Sequence, residues 1–322
     1  MKNTPIFLLG LALLVWSFNS SLIASAPDGE ANLLAHRGVH QTFGREELDN
    51  DTCTAALIDP PTHDYLENTV AGMQAAFAAG AAVVEIDVHL TPDKKFAVFH
   101  DWTLDCRTNG QGVTEETDSA VLKKLDIGYG YTADGGKTYP FRGKGVGQMP
   151  MLEDIFAANP AGPLLINFKS RRAEEGEALA ALLNANPAWR GKVFGVYGGG
   201  EPTDAALAAL PGLKGYTRTS AKDCLLHYLA TGWIGYVPEA CRNTLVPVPS
   251  NYAWLLWGWP NRFMTRMRDA GSDVILVGPY SGGGGSAGID TAEQVEDLPE
   301  HFPGYIWTNR ILEIGPAIKA RP

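Results

Sequence analysis

Four short runs stand at the ends of apolar segments: Ala35-His36-Arg37-Gly38, Leu66-Glu67-Asn68-Thr69, Val84-Glu85-Ile86-Asp87 and Phe99-His100-Asp101. Their side chains suit metal-assisted attack on a phosphoester. An anionic phosphate needs a cation, either Arg37 or a metal. A metal needs hard oxygen donors such as Glu85 and Asp87, and proton transfer near neutral pH favours histidine. Residues i and i+2 of a strand share a face, so Glu85 and Asp87 point the same way, as do Asn167 and Lys169. Unpaired carboxylates are costly in a segment this rich in valine and isoleucine. A divalent cation would offset that cost, and so would a structural network with Arg or Lys. His36 ends the first strand, where Gly38 lets the backbone turn or approach a ligand. With His100 it supplies two imidazoles, one to deprotonate an attacking hydroxyl and one to protonate the leaving oxygen. Glu67 reads as the opening of a helix, whose dipole favours an acid there.

The elements that must position these groups follow a strand-then-helix rhythm. Strands are expected at 32–36, 83–89, 96–100, 164–169, 192–197, 215–218, 234–237, 274–277 and 305–308. Helices are expected at 67–79, 152–158, 174–184, 203–210, 221–230, 262–270 and 311–319. About eight strands alternating with helices fit an α/β (β/α)₈ (TIM) barrel, in which strand ends carry the chemistry. No glycine-rich dinucleotide fingerprint follows the first strand, which argues against an open doubly wound sheet. Two segments break the rhythm. Residues 41–65 read as a long loop over the barrel mouth, and the glycine-rich stretch 104–149 reads as an insertion over the C-terminal mouth. Connections this long are functional or disordered.

Residues 1–26 carry a positive start at Lys2, an apolar stretch and Ala24-Ser25-Ala26, the pattern of a secretory signal peptide cleaved before Pro27. Residues 27–322 then form the catalytic body, exported to a periplasmic or extracellular space. No stable membrane span remains after processing. Lys2 is the only charge lost, so the net charge goes from −10 to −11. An acidic chain is a poor general binder of nucleic acid, so a phosphate must meet a local positive cluster. The sequence leaves the oligomeric state open. Cys53, Cys106, Cys224 and Cys241 lack C-x-x-C spacing, which speaks against zinc. In an exported chain an even count reads as disulfides with three possible connectivities. Their positions favour Cys53–Cys106 and Cys224–Cys241.

Spacing, order and neighbours from Leu34 to Gly112 resemble the glycerophosphodiester phosphodiesterase family, within the phosphatidylinositol-phospholipase-C-like phosphodiesterases. The resemblance rests on Ala35-His36-Arg37-Gly38, on Glu67-Asn68-Thr69, on Glu85-x-Asp87-Val88-x-Leu90-Thr91-x-Asp93 and on the run from Phe99-His100-Asp101 through Thr103-Leu104 to Arg107-Thr108-Asn109-Gly110. It continues weakly at Met149-Pro150-Met151-Leu152-Glu153 and at Tyr305-Ile306-Trp307-Thr308. It implies a (β/α)₈ barrel with an insertion after the second strand region and one divalent cation, Ca²⁺ or Mg²⁺. It also implies hydrolysis of a small glycerophosphodiester to glycerol 3-phosphate and an alcohol. Carried over, His36 and His100 are the acid/base pair and Arg37 and Lys169 hold phosphate. Glu85 and Asp87 are metal ligands, and Glu67 is an active-site carboxylate. The family has E-x-K where this chain has Asn167-Phe168-Lys169. An Asn oxygen still ligates Ca²⁺ or Mg²⁺, at lower ligand charge. The family often has T-D near Asn309, which is given no ligand role.

Weaker features complete the reading. Trp254, Trp257 and Trp259 either line an apolar mouth or pack helices on the barrel. Residues 281–288 read as a mobile lid. His40, His63, His89, His227 and His301 show no ligand spacing. Two rival functions remain: a phospholipase D-type enzyme acting on lysolipids, and a non-catalytic phosphodiester-binding protein.

Overall fold

The computed structural model describes residues 4–44, 48, 52–282 and 287–321, the side chains of 4–9 and 11 excepted. Residues 45–47 and 49–51 of the expected loop at 41–65, and 283–286 of the expected lid at 281–288, lie outside the described residues. In chain order the elements are α1 (Thr4–Asn19), β1 (Asn32–Ala35), α2 (Val70–Ala78), β2 (Ala81–Leu90), β3 (Phe96–Val98), α3 (Ser119–Leu122) and α4 (Leu152–Ala157). There follow β4 (Leu164–Phe168), α5 (Ala173–Ala185), α6 (Pro187–Arg190), β5 (Val193–Gly198), α7 (Gly200–Ala209), β6 (Gly215–Thr217), α8 (Arg218–Thr231) and β7 (Leu245–Pro249). The chain ends with α9 (Asn261–Asp269), β8 (Asp273–Val277), α10 (Ala292–Glu296), β9 (Tyr305–Thr308) and α11 (Ile311–Lys319).

Eight strands run parallel in the order β6-β5-β4-β2-β1-β9-β8-β7, and the sheet curls into a nearly closed barrel. β3 is not a stave, because it pairs antiparallel to the overhanging end of β2. At the seam the Thr244 hydroxyl donates to the Gly215 carbonyl in place of a ladder between β6 and β7. Three apolar clusters follow from this geometry. Leu34, Leu165, Leu245, Ile275 and Trp307 fill the barrel. A larger cluster lies between the strands and the surrounding helices. A third, with Phe99, Leu104, Leu122, Tyr131 and Phe141, gives the segment between β3 and α4 its own core. That segment is folded over buried Asp126, whose carboxylate accepts from the backbone of Gly128, Gly143 and Gly145. Disulfides join Cys53 to Cys106 and Cys224 to Cys241.

Three sequence expectations are corrected. The helix expected from Glu67 starts at Val70, where the Thr69 side chain caps it by accepting from Gly72 N; Glu67 lies in the preceding turn. Asn68 takes a positive φ of 57° there, a conformation Asn adopts more readily than most residues. The strand expected at 234–237 is absent, and the seventh stave is Leu-Val-Pro-Val-Pro at 245–249. Two prolines hid it, yet they are tolerated because β7 is laddered on one side only, to β8. The tryptophans do not form one cluster. Trp254 stands exposed, whereas Trp259 packs on Phe263 and Phe302 in the helical layer. Among the described residues no helix is long and apolar enough to cross a membrane.

Candidate active site

The site lies at the carboxyl ends of the staves. The register sets Asp87 of β2 beside Asn167 of β4, and Asn167 beside Tyr197 of β5. On the other side Ala35 of β1 pairs with Thr308 of β9, so His36 and Asn309 leave their strands together. Gly38 makes the turn after His36 possible: its φ is 73°, and a Cβ there would meet the Gly72 backbone at 2.8 Å. Arg37 itself has a φ of 57°, one of the few non-glycine residues with positive φ. Such strain persists only where the surroundings impose it, and it concentrates at functional sites.

All the predicted site side chains except the structural cysteines meet here. Glu85 and Asp87 are fully buried. Glu85 accepts from Tyr197 OH at 2.7 Å and from the Arg37 backbone N–H at 3.1 Å, and it lies 3.8 Å from His36 Nε2. Asp87 forms ion pairs with Arg37 Nε at 3.2 Å and Lys169 Nζ at 3.5 Å, and accepts from Asn68 Nδ2 at 2.9 Å and Asn167 Nδ2 at 2.8 Å. The two carboxylates are therefore pushed apart. Burial first, then repulsion from Asp87, raises Glu85 to about 8 against the pull of Arg37 and Tyr197. Burial also opposes ionisation of Asp87, but Lys169 and Arg37 outweigh it and hold that carboxyl well below the usual range.

Each histidine has an orienting partner. Asn309 Oδ1 lies 2.6 Å from His36 Nδ1, while Asn309 Nδ2 donates to Asp290 Oδ2 at 2.7 Å. Asp290 only accepts, so it turns the amide oxygen toward His36 and fixes that ring's proton on Nδ1. Nε2 is then a lone pair, and Arg37 Nε donates toward it at 3.2 Å. His100 Nδ1 meets Asp101 Oδ1 at 2.7 Å. Burial, then Arg37 and Lys169, push the His100 imidazole well below its ordinary value. An anion between those two cations removes the second cause. His89, two residues beyond Asp87, is fully buried, and burial with the nearby Lys169 lowers it to about 4.

Sequence reasoning missed Asn309, Asp290, Asn68, Tyr197 and Arg107. Asn309 stands where the family often has an acid and carries no expected ligand role, yet its amide oxygen orients His36. Asn68 and Arg107 sit inside the quoted motifs and were readable there. Asp290 and Tyr197 carry no local signal, because only barrel closure and register bring them to the site.

Residues 61–185 match the model of the glycerophosphoryl diester phosphodiesterase family. The glycerophosphodiester phosphodiesterase of Caldanaerobacter subterraneus subsp. tengcongensis is 44% identical over 62 residues, 19% of this chain and 26% of that protein. The chain spans about a quarter to a third of the length of the curated relatives it matches first. The fold is similar to that of the glycerophosphoryl diester phosphodiesterase domain of Mycobacterium tuberculosis protein Rv2277c. There the TM-score is 0.63 at 18% identity, covering 91% of this chain and 100% of that one. It is also similar to an Oleispira antarctica phosphodiesterase solved with the product sn-glycerol-3-phosphate. That match has a TM-score of 0.53 at 18% identity, over 95% of this chain and 99% of that one. Residues 61–185 thus carry the glycerophosphoryl diester phosphodiesterase family's segment, within a barrel whose fold is similar to these solved structures.

Proposed function

We propose that the protein hydrolyses glycerophosphodiesters to glycerol 3-phosphate and an alcohol, with residues 1–26 as an export signal and 27–322 as the catalytic barrel. The observation that carries this is the meeting of two separately oriented imidazoles, His36 and His100, around a cationic pair, Arg37 and Lys169, at the barrel mouth. His36 is backed by a neutral amide and presents Nε2 as the proton acceptor, toward which Arg37 Nε donates in the absence of substrate. His100 is backed by a carboxylate that stabilises the imidazolium, so it becomes the acid once a phosphodiester has neutralised Arg37 and Lys169. His36 deprotonates the substrate's glycerol 2-hydroxyl for attack on phosphorus, and His100 protonates the departing alkoxide. The roles then reverse as water opens the cyclic phosphate. Arg37 and Lys169 stabilise the equatorial oxygens throughout.

The donor set fits one hard divalent cation, Ca²⁺ or Mg²⁺. Glu85 and Asp87 are adjacent buried carboxylates whose mutual repulsion the local cations leave uncompensated at Glu85. Asn167 supplies a third oxygen when its amide makes a half-turn from its present contact with Asp87. Asn167 Nδ2 lies 2.8 Å from Asp87 Oδ1, so the amide stands within reach of the same shell. When bound, such an ion polarises the phosphoryl oxygen and lowers the pKa of an attacking hydroxyl.

Turnover of a panel of glycerophosphodiesters, with EDTA and then with Ca²⁺ or Mg²⁺ added back, tests the reading. No turnover under any of these conditions would overturn it, and full activity in EDTA after proven metal removal would overturn the cation. A substrate analogue lacking the glycerol 2-hydroxyl should be inert; if it is hydrolysed, water attacks directly. Tyr252 and Trp254 stand exposed just past the end of β7, which favours a second reading in which lysolipids are accepted. Comparing glycerophosphocholine with lysophosphatidylcholine separates the two.

A further inference from the structure

Arg107 lies outside the proton-transfer and phosphate-binding roles assigned above, yet it is 2% exposed and fully engaged. Its Nε donates to Asp101 Oδ2 at 2.8 Å, and its Nη1 reaches Glu67 Oε2 at 3.1 Å. Nη1 also meets Tyr131 OH at 2.8 Å, and Nη2 donates to Thr54 Oγ1 at 2.6 Å. The division of oxygens is the informative point. Asp101 gives one oxygen to Arg107 and the other, at 2.7 Å, to His100 Nδ1. Glu67 gives one oxygen to Arg107 and the other, at 3.4 Å, to Arg37 Nη1. Thr54 and Arg107 each directly follow a half-cystine of the Cys53–Cys106 bond, so the loop before α2 and the segment after β3 are fastened twice at one place.

Building on the phosphodiesterase reading, we propose that Arg107 is a positioning residue that sets the two halves of the site in register. Through Asp101 it orients the proton-transfer imidazole of His100. Through Glu67 it orients the phosphate-holding guanidinium of Arg37. A planar fork of five N–H donors can hold two carboxylates, a phenol and a hydroxyl at once; a lysine ammonium at the same place retains the charge and loses the fork. A buried cation between two carboxylates is poor evidence of stabilisation in itself. What it fixes is geometry, where a displacement of about 1 Å lowers turnover by roughly 10²-fold.

The test compares Arg107→Lys, Asp101→Asn and Glu67→Gln, alone and combined, on glycerophosphocholine, with folding followed by circular dichroism. Asp101→Asn should lower kcat with little change in KM, and Glu67→Gln should mainly raise KM. Arg107→Lys should do both, with kcat down by about 10- to 100-fold. Adding either carboxylate substitution to Arg107→Lys should cost little more, since the residues act as one unit. A merely structural arginine would give additive losses without the split between kcat and KM. If Arg107→Lys does not fold, Thr54→Val keeps the charge and removes one anchor. It should still lower kcat, and wild-type kinetics in that variant would overturn the proposal. A wild-type protein inert on every glycerophosphodiester removes the functional reading and this inference together. An active wild type with unaltered Arg107→Lys kinetics, or with fully additive losses, removes the inference alone.

Discussion

Stripped of divalent ions, the protein should lose stability as the pH rises from 7 to 8.5, because Glu85 titrates there. Its carboxyl is raised to about 8 in the folded chain by burial and by Asp87. The unfolded chain has released that proton by about pH 5. Between these values the native state binds one proton more than the unfolded state, so the unfolding free energy falls with pH. The slope approaches one proton's linkage per pH unit, and over pH 7 to 8.5 the loss amounts to about 1 kcal/mol. Glu175, raised to about 7 chiefly by burial, adds a smaller loss of the same sign. His89 and His100, both lowered by burial, add a comparable gain as the unfolded imidazoles finish deprotonating, so the two corrections nearly cancel. For a chain of this size the net change amounts to about 2 °C in Tm. Calorimetric melting in EDTA across that range measures it. Saturating Ca²⁺ or Mg²⁺ should flatten the dependence by keeping Glu85 ionised, and Glu85→Gln should flatten it without metal. A wild-type slope that survives Glu85→Gln unchanged would refute the assignment of the strain to this carboxylate.

Three further outcomes are expected. His36→Ala and His100→Ala should each lower kcat by roughly 10²- to 10⁴-fold with the fold intact, and the double variant should lose less than the product; full activity in either single variant removes that residue from proton transfer. Asn167→Asp should tighten Ca²⁺ binding in isothermal calorimetry and Asn167→Leu should weaken it; identical binding by all three forms would place Asn167 outside the cation's shell. Cys53→Ser should raise KM more than Cys224→Ser, at temperatures where both stay folded. The Cys53–Cys106 bond fastens the loop beside His100, whereas Cys224–Cys241 ties α8 to the turn before β7. Equal effects in steady-state kinetics would count against a role for the first disulfide at the mouth.

The barrel was legible because its inner staves are short runs of branched apolar residues separated by helices with clear stops, such as α2 ending before Gly80. Legibility failed where the sheet relaxes its own rules. β7 accepts two prolines because it stands at the seam, and β3 looks like a stave but turns back along β2. The site divides in the same manner. Residues on contiguous motifs were found, since a strand's two-residue period places Glu85 and Asp87 on one face whatever the rest of the chain does. Residues that act from another part of the chain were not. Tyr197 reaches Glu85 only because β5 lies two staves from β2, and Asp290 reaches Asn309 only because the loop before α10 folds back on β9.

Charge explains why the distant groups are needed. Two carboxylates on one face of β2 are too much negative charge for Arg37 and Lys169 to neutralise evenly, and Asp87 takes most of their field. Glu85 is left with the hydroxyl of Tyr197 and one backbone N–H. A third carboxylate at position 167 would add to that negative charge in the metal-free chain, whereas Asn167 adds none and donates to Asp87. The amide thus makes the empty site cheaper to fold and the loaded site weaker in charge. The substitution should therefore show itself less in the turnover of a metal-saturated enzyme than in the metal concentration needed to reach it. A metal activation curve that does not move between wild type and Asn167→Asp would contradict this.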